Sequence, residues 1–289
     1  MVLIDSIKKS FFCVIENPAI TLILVLFLIV SNMLTPYIIA AKTPIFALIL
    51  LLCLSAIIFI FFSGWLKVIK ESVDRDKIKD KNYYSIFLEG VGENFISIAI
   101  STVIYTFFTF ITIILAHYLT IRIFGDINFF LNDLNAHAID YNNFKEYINS
   151  LNDTQKDIIY GWNFCIMSAM SIFTFVFLFY FPSILYNKKN IFLKPIIAIW
   201  ENLKFLFKNF FPALGLGIFI YILHLFLAVL NAIFSNNAIL SVIFLLIYIY
   251  FISYVVMLIF NYYEAKNSSS DRCNSIRENE TGNNAGKED

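Results

Sequence analysis

Six stretches of the chain, about 18–40, 44–66, 95–119, 162–186, 210–234 and 238–262, contain no Asp, Glu, Lys or Arg at all. Each is long enough to cross a hydrocarbon layer as a helix, which takes about 20 apolar residues. Inside that layer no water serves the peptide groups, so only helices and closed barrels can span it. Barrel strands would be runs of about 10 residues with strict in–out alternation, and these runs are longer and do not alternate. Composition points the same way. The 289 residues are 60% hydrophobic and only 15% charged, with 33 Phe and 16 Tyr, where a soluble domain is about 45–50% apolar and about 25% charged. The fold class expected is all-α: a polytopic membrane protein with six transmembrane helices arranged as three hairpins, and interfacial helices on the cytoplasmic side.

Lys8 and Lys9 precede the first apolar run, as in a signal peptide. That run exceeds an h-region of about 7–15 residues, and Ile39-Ala40-Ala41 is a poor cleavage site, so the run reads as a retained first span. Pro36 and Pro44 suit a tight turn between spans one and two, and Ser235-Asn236-Asn237 suits one between spans five and six. Seventeen Lys and Arg fall on one side of the six spans. Only Lys42, Arg122, Lys145 and Lys156 fall on the other. The positive-inside rule then places the protein in the cell membrane, multi-pass, with both termini cytoplasmic. Residues 1–264 form the membrane domain. The tail, 265–289, is rich in Ser, Asn, Asp and Glu and is expected to be disordered. Trp65, Trp162 and Trp200 fall at or near span ends and read as headgroup-level anchors.

Residues 3–16 and 194–208 are amphipathic at the 3.6-residue period and can lie in the membrane interface. Residues 82–94 form a third such stretch, weakened as a helix by Gly90 and Gly92. The three stretches end on Glu16-Asn17-Pro18, Glu93-Asn94-Phe95 and Lys208-Asn209-Phe210. Each Asn suits the N-cap of the span that follows, and Pro18 suits its first position. This spacing suggests a parallel internal repeat of three units, each an interfacial helix and a transmembrane hairpin.

Pro195-Ile196-Ile197-Ala198-Ile199-Trp200-Glu201-Asn202-Leu203-Lys204, Phe207-Lys208-Asn209-Phe210 and Phe260-Asn261-Tyr262-Tyr263-Glu264, set in this layout, carry a resemblance. The chain resembles a broad group of bacterial and archaeal six-span proteins that includes the membrane domain of some glycerophosphodiester phosphodiesterases. The resemblance implies a six-helix membrane fold. It does not carry phosphodiesterase activity over, because no catalytic domain fits the segments outside the spans.

Between spans three and four, residues 120–160 form the outer loop, where Asp126, Asp133, Asp140, Glu146, Asp153 and Asp157 outnumber the basic residues. Phe144, Tyr147, Ile148 and Leu151 predict a helix over 142–158 that caps the bundle. No calcium-loop motif is present. Asn152-Asp153-Thr154 is a glycosylation sequon, meaningful only in a eukaryotic secretory pathway.

Ionisable groups within spans are the first places to look for function. The spans hold only His117 and His224. They lie about 33 and 21 Å from the inner ends at about 1.5 Å per residue, too far apart in depth to share a metal. Asn163 and Asn231, near outer span ends, suit interhelical hydrogen bonds. His117, His224 and Asn231 are the residues that could line a pathway. Ala213 and Gly217 give span five a small-residue face, and Pro212 and Gly215 make it the expected place for a bend. The acids Glu71, Asp74, Asp76 and Asp80, interleaved with Arg75, Lys77, Lys79 and Lys81, read as a solvated loop.

HExxH, GxSxG and phosphate-loop motifs are absent, and Cys13, Cys53, Cys165 and Cys273 have no metal or disulfide spacing. No catalytic, cofactor or metal site is expected, and the balance of 21 basic and 21 acidic residues gives no global field for nucleic acid. The expectation is a non-enzymatic protein that organises membrane lipids or binds a membrane protein partner. The alternative is a transporter or permease for an apolar or lipid-like solute.

Overall fold

The computed structural model describes residues 2–40, 43–73, 82–130, 141–234 and 237–284, with backbone only at 39, 141–145, 238 and 269–284. The principal elements are all helical: α1 (Val2–Glu16), α2 (Pro18–Ile39), α3 (Pro44–Val73), α4 (Tyr83–Phe124), α5 (Tyr141–Ser150), α6 (Asp153–Val176), α7 (Tyr180–Tyr186), α8 (Lys194–Lys208), α9 (Phe210–Phe234) and α10 (Ala238–Asn284). Six segments are long and apolar enough to cross a membrane: Pro18–Ile38, Pro44–Val73, Tyr83–Phe124, Asp153–Tyr186, Phe210–Phe234 and Ile239–Ser268. Only 6–28% of the residues in their apolar windows are buried. Burying so little leaves most apolar side chains needing lipid around them, so the chain is an integral membrane protein with six candidate spans.

The helices sort into two compact units, 102–177 and the remainder. In the larger unit α1 lies along α10, α2 packs on α3, α9 on α10, and α7 on α8. Trp65 is buried here, 2% exposed, its indole N–H donating to the Ile20 carbonyl (2.9 Å) and its ring stacked on Phe61. It fastens α3 to α2, where the sequence suggested a headgroup anchor.

The glycines expected to weaken 82–94 do not interrupt α4. A Cβ on Gly90 would lie 2.5 Å from Lys67 Cβ and 2.8 Å from the Ser63 carbonyl oxygen, and one on Gly64 would meet the Phe87 ring at 2.5 Å. These two residues let α3 and α4 touch backbone to side chain, so the contact offsets the weak helix propensity of glycine.

Nor do the three asparagines of the repeat cap the spans that follow. Each turns back and donates from Nδ2 to the carbonyl four residues earlier: Asn17 to Cys13 (2.7 Å), Asn94 to Gly90 (3.3 Å) and Asn209 to Phe205 (3.0 Å). Asn17 and Asn209 thereby add a second donor to a carbonyl that already accepts their own backbone N–H (3.1 and 3.0 Å) where a helix ends. Asn94 does the same inside the unbroken α4. The Asn17 Oδ1 accepts from the Tyr83 hydroxyl, tying the start of α4 to the α1–α2 junction.

The break in a span falls in the fourth, not the fifth. α9 runs uninterrupted because Pro212 sits in its first turn, where no intrahelical partner is lost. The fourth span is divided into α6 and α7 by a turn at 177–179. Pro182 accounts for it, lacking an N–H and crowding the carbonyl four residues back. The Phe179 N–H donates instead to Asn202 Oδ1 of α8 (3.0 Å), a side chain only 1% exposed. Pro36 lies within α2 rather than in the turn after it.

In the smaller unit, α4 ends at Phe124 because Gly125 takes φ +108°, a left-handed conformation. The single helix expected over 142–158 is two. Asn152 and Gln155 form a capping box that starts α6 at Asp153. The sequon asparagine is thus an N-cap. Tyr147 of α5 packs against Phe130. Beyond the last span, the α10 backbone is helical to Asn284. No Pro interrupts 265–284, and a helix already nucleated propagates cheaply.

Candidate functional site

Polar chemistry gathers in the larger unit where the spans give way to charged sequence. Lys67 lies 23 residues beyond Pro44, about 35 Å along α3, past a hydrocarbon thickness of about 30 Å. Its stem crosses Gly90 and is almost wholly buried, 7% exposed. Its Nζ reaches Glu93 Oε2 at 2.9 Å, Glu89 Oε1 at 3.2 Å and Glu71 Oε1 at 3.4 Å. One cation thus holds three carboxylates from two helices. One turn on, the Lys70 ammonium donates to the Leu185 carbonyl at the end of α7 (2.8 Å) and sits 5.0 Å from the centre of the Tyr186 ring. Glu71 therefore belongs to a packed cluster rather than a solvated loop. The rest of that run, 74–81, lies outside the described residues.

α8 presents three sectors when its residues are placed at 100° intervals. Pro195, Ala198, Asn202, Phe205 and Leu206 are buried, with Phe205 against Tyr262 and Tyr263 of α10. Ile196, Trp200 and Phe207, on the next sector, are 59%, 63% and 75% exposed. Glu201, Lys204 and Lys208 fill the third. An exposed apolar stripe beside a charged one is the form of a helix that lies in a membrane interface.

The charged sector forms one wall of a cleft of about 740 Å³. Lys188 and Lys189 from the α7–α8 connection and Tyr263 and Asn267 from α10 complete it. Asn187, 8% exposed, sets the geometry. Its Nδ2 donates to Glu201 Oε2 (3.1 Å) and its Oδ1 accepts from the Lys189 N–H (2.9 Å). Among the described residues the cleft has one acid, Glu201, and it is hydrogen-bonded to a neutral amide. Lys188, Lys189 and Lys204 make no ion pair among the described residues.

The residues singled out from sequence are scattered. His117 belongs to the smaller unit, where its Nδ1 accepts from the Trp162 indole N–H (3.1 Å). His224 and Asn231 are exposed on α9 and make no hydrogen bond among the described residues. Neither borders the lysine cleft, nor the smaller one of about 520 Å³ beside Asp5, Lys9 and Asn261. Asn163 is exposed on α6. Asp133, His137 and Asp140 lie outside the described residues.

The sequence held one signal for the cleft, the repeated lysines on one arc of α8. Its completion by Lys188 and Lys189 depends on the turn at Asn187. No protein-family model, curated protein or solved structure matches the chain.

Proposed function

We propose that this is a non-enzymatic membrane protein of three transmembrane hairpins, with α1 and α8 at the cytoplasmic face, that binds a partner helix within the bilayer. The observation that carries the reading is a polar strip on α9. His224 and Asn231 are seven residues apart, two turns of helix, and so share a face. Tyr221 and Ala228 flank them, and all four are exposed. His224 is about 21 Å from Phe210 and about 15 Å from Phe234, well inside the hydrocarbon. Polar side chains at that depth characteristically face other protein, where interhelical hydrogen bonds satisfy them. Small residues at Gly217 and Ala228 on the same face admit a close neighbour. The shared back-bond of Asn17, Asn94 and Asn209 supports the division into three units.

The test is a photo-crosslinking residue at Ala228 in native membranes. A protein adduct of defined mass is expected, and it is lost in the His224→Leu, Asn231→Leu double variant. Adducts to lipid alone, or a protein adduct indifferent to the double substitution, would refute the reading. A single enriched small solute bound to the purified protein would favour transport instead.

A further inference from the structure

We infer that the lysine cleft between α7, α8 and α10 binds the phosphate of an anionic phospholipid headgroup. The inference is independent of the partner strip on α9, because it rests on different residues at a different depth.

Four arguments lead to it. The first is charge: among the described residues Lys188, Lys189 and Lys204 face one cleft with a single acid, Glu201, leaving a formal excess of two positive charges. Neighbouring ammonium groups repel one another, and an anion relieves that repulsion. The second is fixation. Asn187 bonds both the Lys189 backbone and Glu201, so the connection carrying two of the lysines is held against α8. A carboxylate already hydrogen-bonded to Asn187 competes less for the ammonium groups than a free one would.

The third is depth. Tyr263 lies 24 residues beyond Ile239, about 36 Å along α10, just past a hydrocarbon layer of about 30 Å. Lys208, on the opposite wall, lies two residues before the span that starts at Phe210. Both walls therefore lie at the headgroup level. The fourth is the neighbouring surface. The exposed stripe of Ile196, Trp200 and Phe207 runs beside the lysine stripe on the same helix. A phospholipid has this same division, with a charged head beside apolar chains, whereas free phosphate would leave the apolar stripe without a counterpart. The volume, about 740 Å³, is ample for a headgroup and lies within the range of small-molecule sites.

The experiment uses the full chain in detergent micelles, titrated with phosphatidylglycerol or phosphatidylcholine, with bound lipid counted by native mass spectrometry. Retention of at least one phosphatidylglycerol is expected, with a preference over phosphatidylcholine of about tenfold or more. The preference should fall at least about tenfold in the Lys188→Gln, Lys189→Gln, Lys204→Gln variant, and persist in a Lys8→Gln, Lys9→Gln control on α1. Thermal unfolding of each variant monitors folding. If the triple variant unfolds early, Lys204→Gln alone carries the test, with a loss of about threefold or more. Equal affinity for the two lipids, or a preference that survives loss of the lysines, would overturn the inference. So would displacement of the lipid by inorganic phosphate at similar concentration, since the site would then recognise the free anion.

Discussion

Gly90 and Gly92 sit two residues apart on α4, and replacing each by alanine should move stability in opposite directions. A methyl added at Gly90 would lie 2.5 Å from Lys67 Cβ and 2.8 Å from the Ser63 carbonyl oxygen. Carbon atoms rest about 3.5–4.0 Å apart, so α3 and α4 must separate by about 1 Å. Neither obstacle is a flexible side-chain end, and forced overpacking of this kind costs about 1–3 kcal/mol. At Gly92 an added methyl meets nothing within 4 Å, so only the gain in helix propensity remains, about 0.5–1 kcal/mol. For a chain of this size about 1 kcal/mol corresponds to roughly 2–4 °C. Gly90→Ala should therefore unfold about 2–12 °C below the parent, and Gly92→Ala about 1–4 °C above it. The assay is thermal unfolding in one detergent at one scan rate, read by tryptophan fluorescence. Trp65, buried on α3, reports on the helix that must move. Gly90→Ala unfolding with the parent, or Gly92→Ala losing as much as Gly90→Ala, would refute the close-contact argument.

Three further expectations come from other contacts. Asn202→Leu leaves the Phe179 N–H without its acceptor at the break in the fourth span and should cost about 1–3 kcal/mol, where Asn202→Ser, which keeps a short acceptor, costs less; equal unfolding midpoints for the two would remove the bond from the account. Lys67→Met leaves Glu71, Glu89 and Glu93 facing one another. Because Glu89 and Glu93 are 40% and 54% exposed, the loss should be modest, about 1–2 kcal/mol, and partly restored by adding Glu89→Gln and Glu93→Gln; no restoration would mean that the lysine stem rather than its charge matters. A cysteine at Asn143 should react with an impermeant reagent on intact cells, and labelling only after lysis would reverse the orientation read from the lysine count.

The spans were readable because each constraint on them is local. A run of more than 20 residues without charge has one economical structure in lipid. The stripes of α1 and α8 follow from helical period alone, and both helices occur where expected. What escaped reading depends on residues distant in sequence. Lys67 meets Glu93 across 26 residues, and Phe179 finds Asn202 across 23. Gly64 and Gly90 register as weak helix formers until the facing helix is in place. Local ambiguity misled in another way. Asn17 and Asn209 stand where one helix ends and the next begins, and an amide side chain can serve either end. Proline misled through position: Pro212 falls in a first turn, while Pro182 follows a longer helix that it cannot join.

The seam between α1 and α10 has a consequence for the order of assembly. Asn261 Nδ2 donates to Ser10 Oγ at 2.8 Å, across 251 residues. Ser6, Ser10, Cys13 and Val14 of α1 are buried in the larger unit, and α1 lies chiefly along α10. At about 5–20 residues per second, α1 emerges from the ribosome roughly 10–50 s before its main partner exists. Through that interval Ile4, Phe11, Phe12 and Ile15, which stay exposed even in the finished unit, give α1 a resting place on the bilayer surface. α1 would thus be parked on the membrane first and latched once α10 has been made. A chain arrested before α10 would carry α1 unlatched, with Ser10→Cys open to a maleimide that the completed protein excludes.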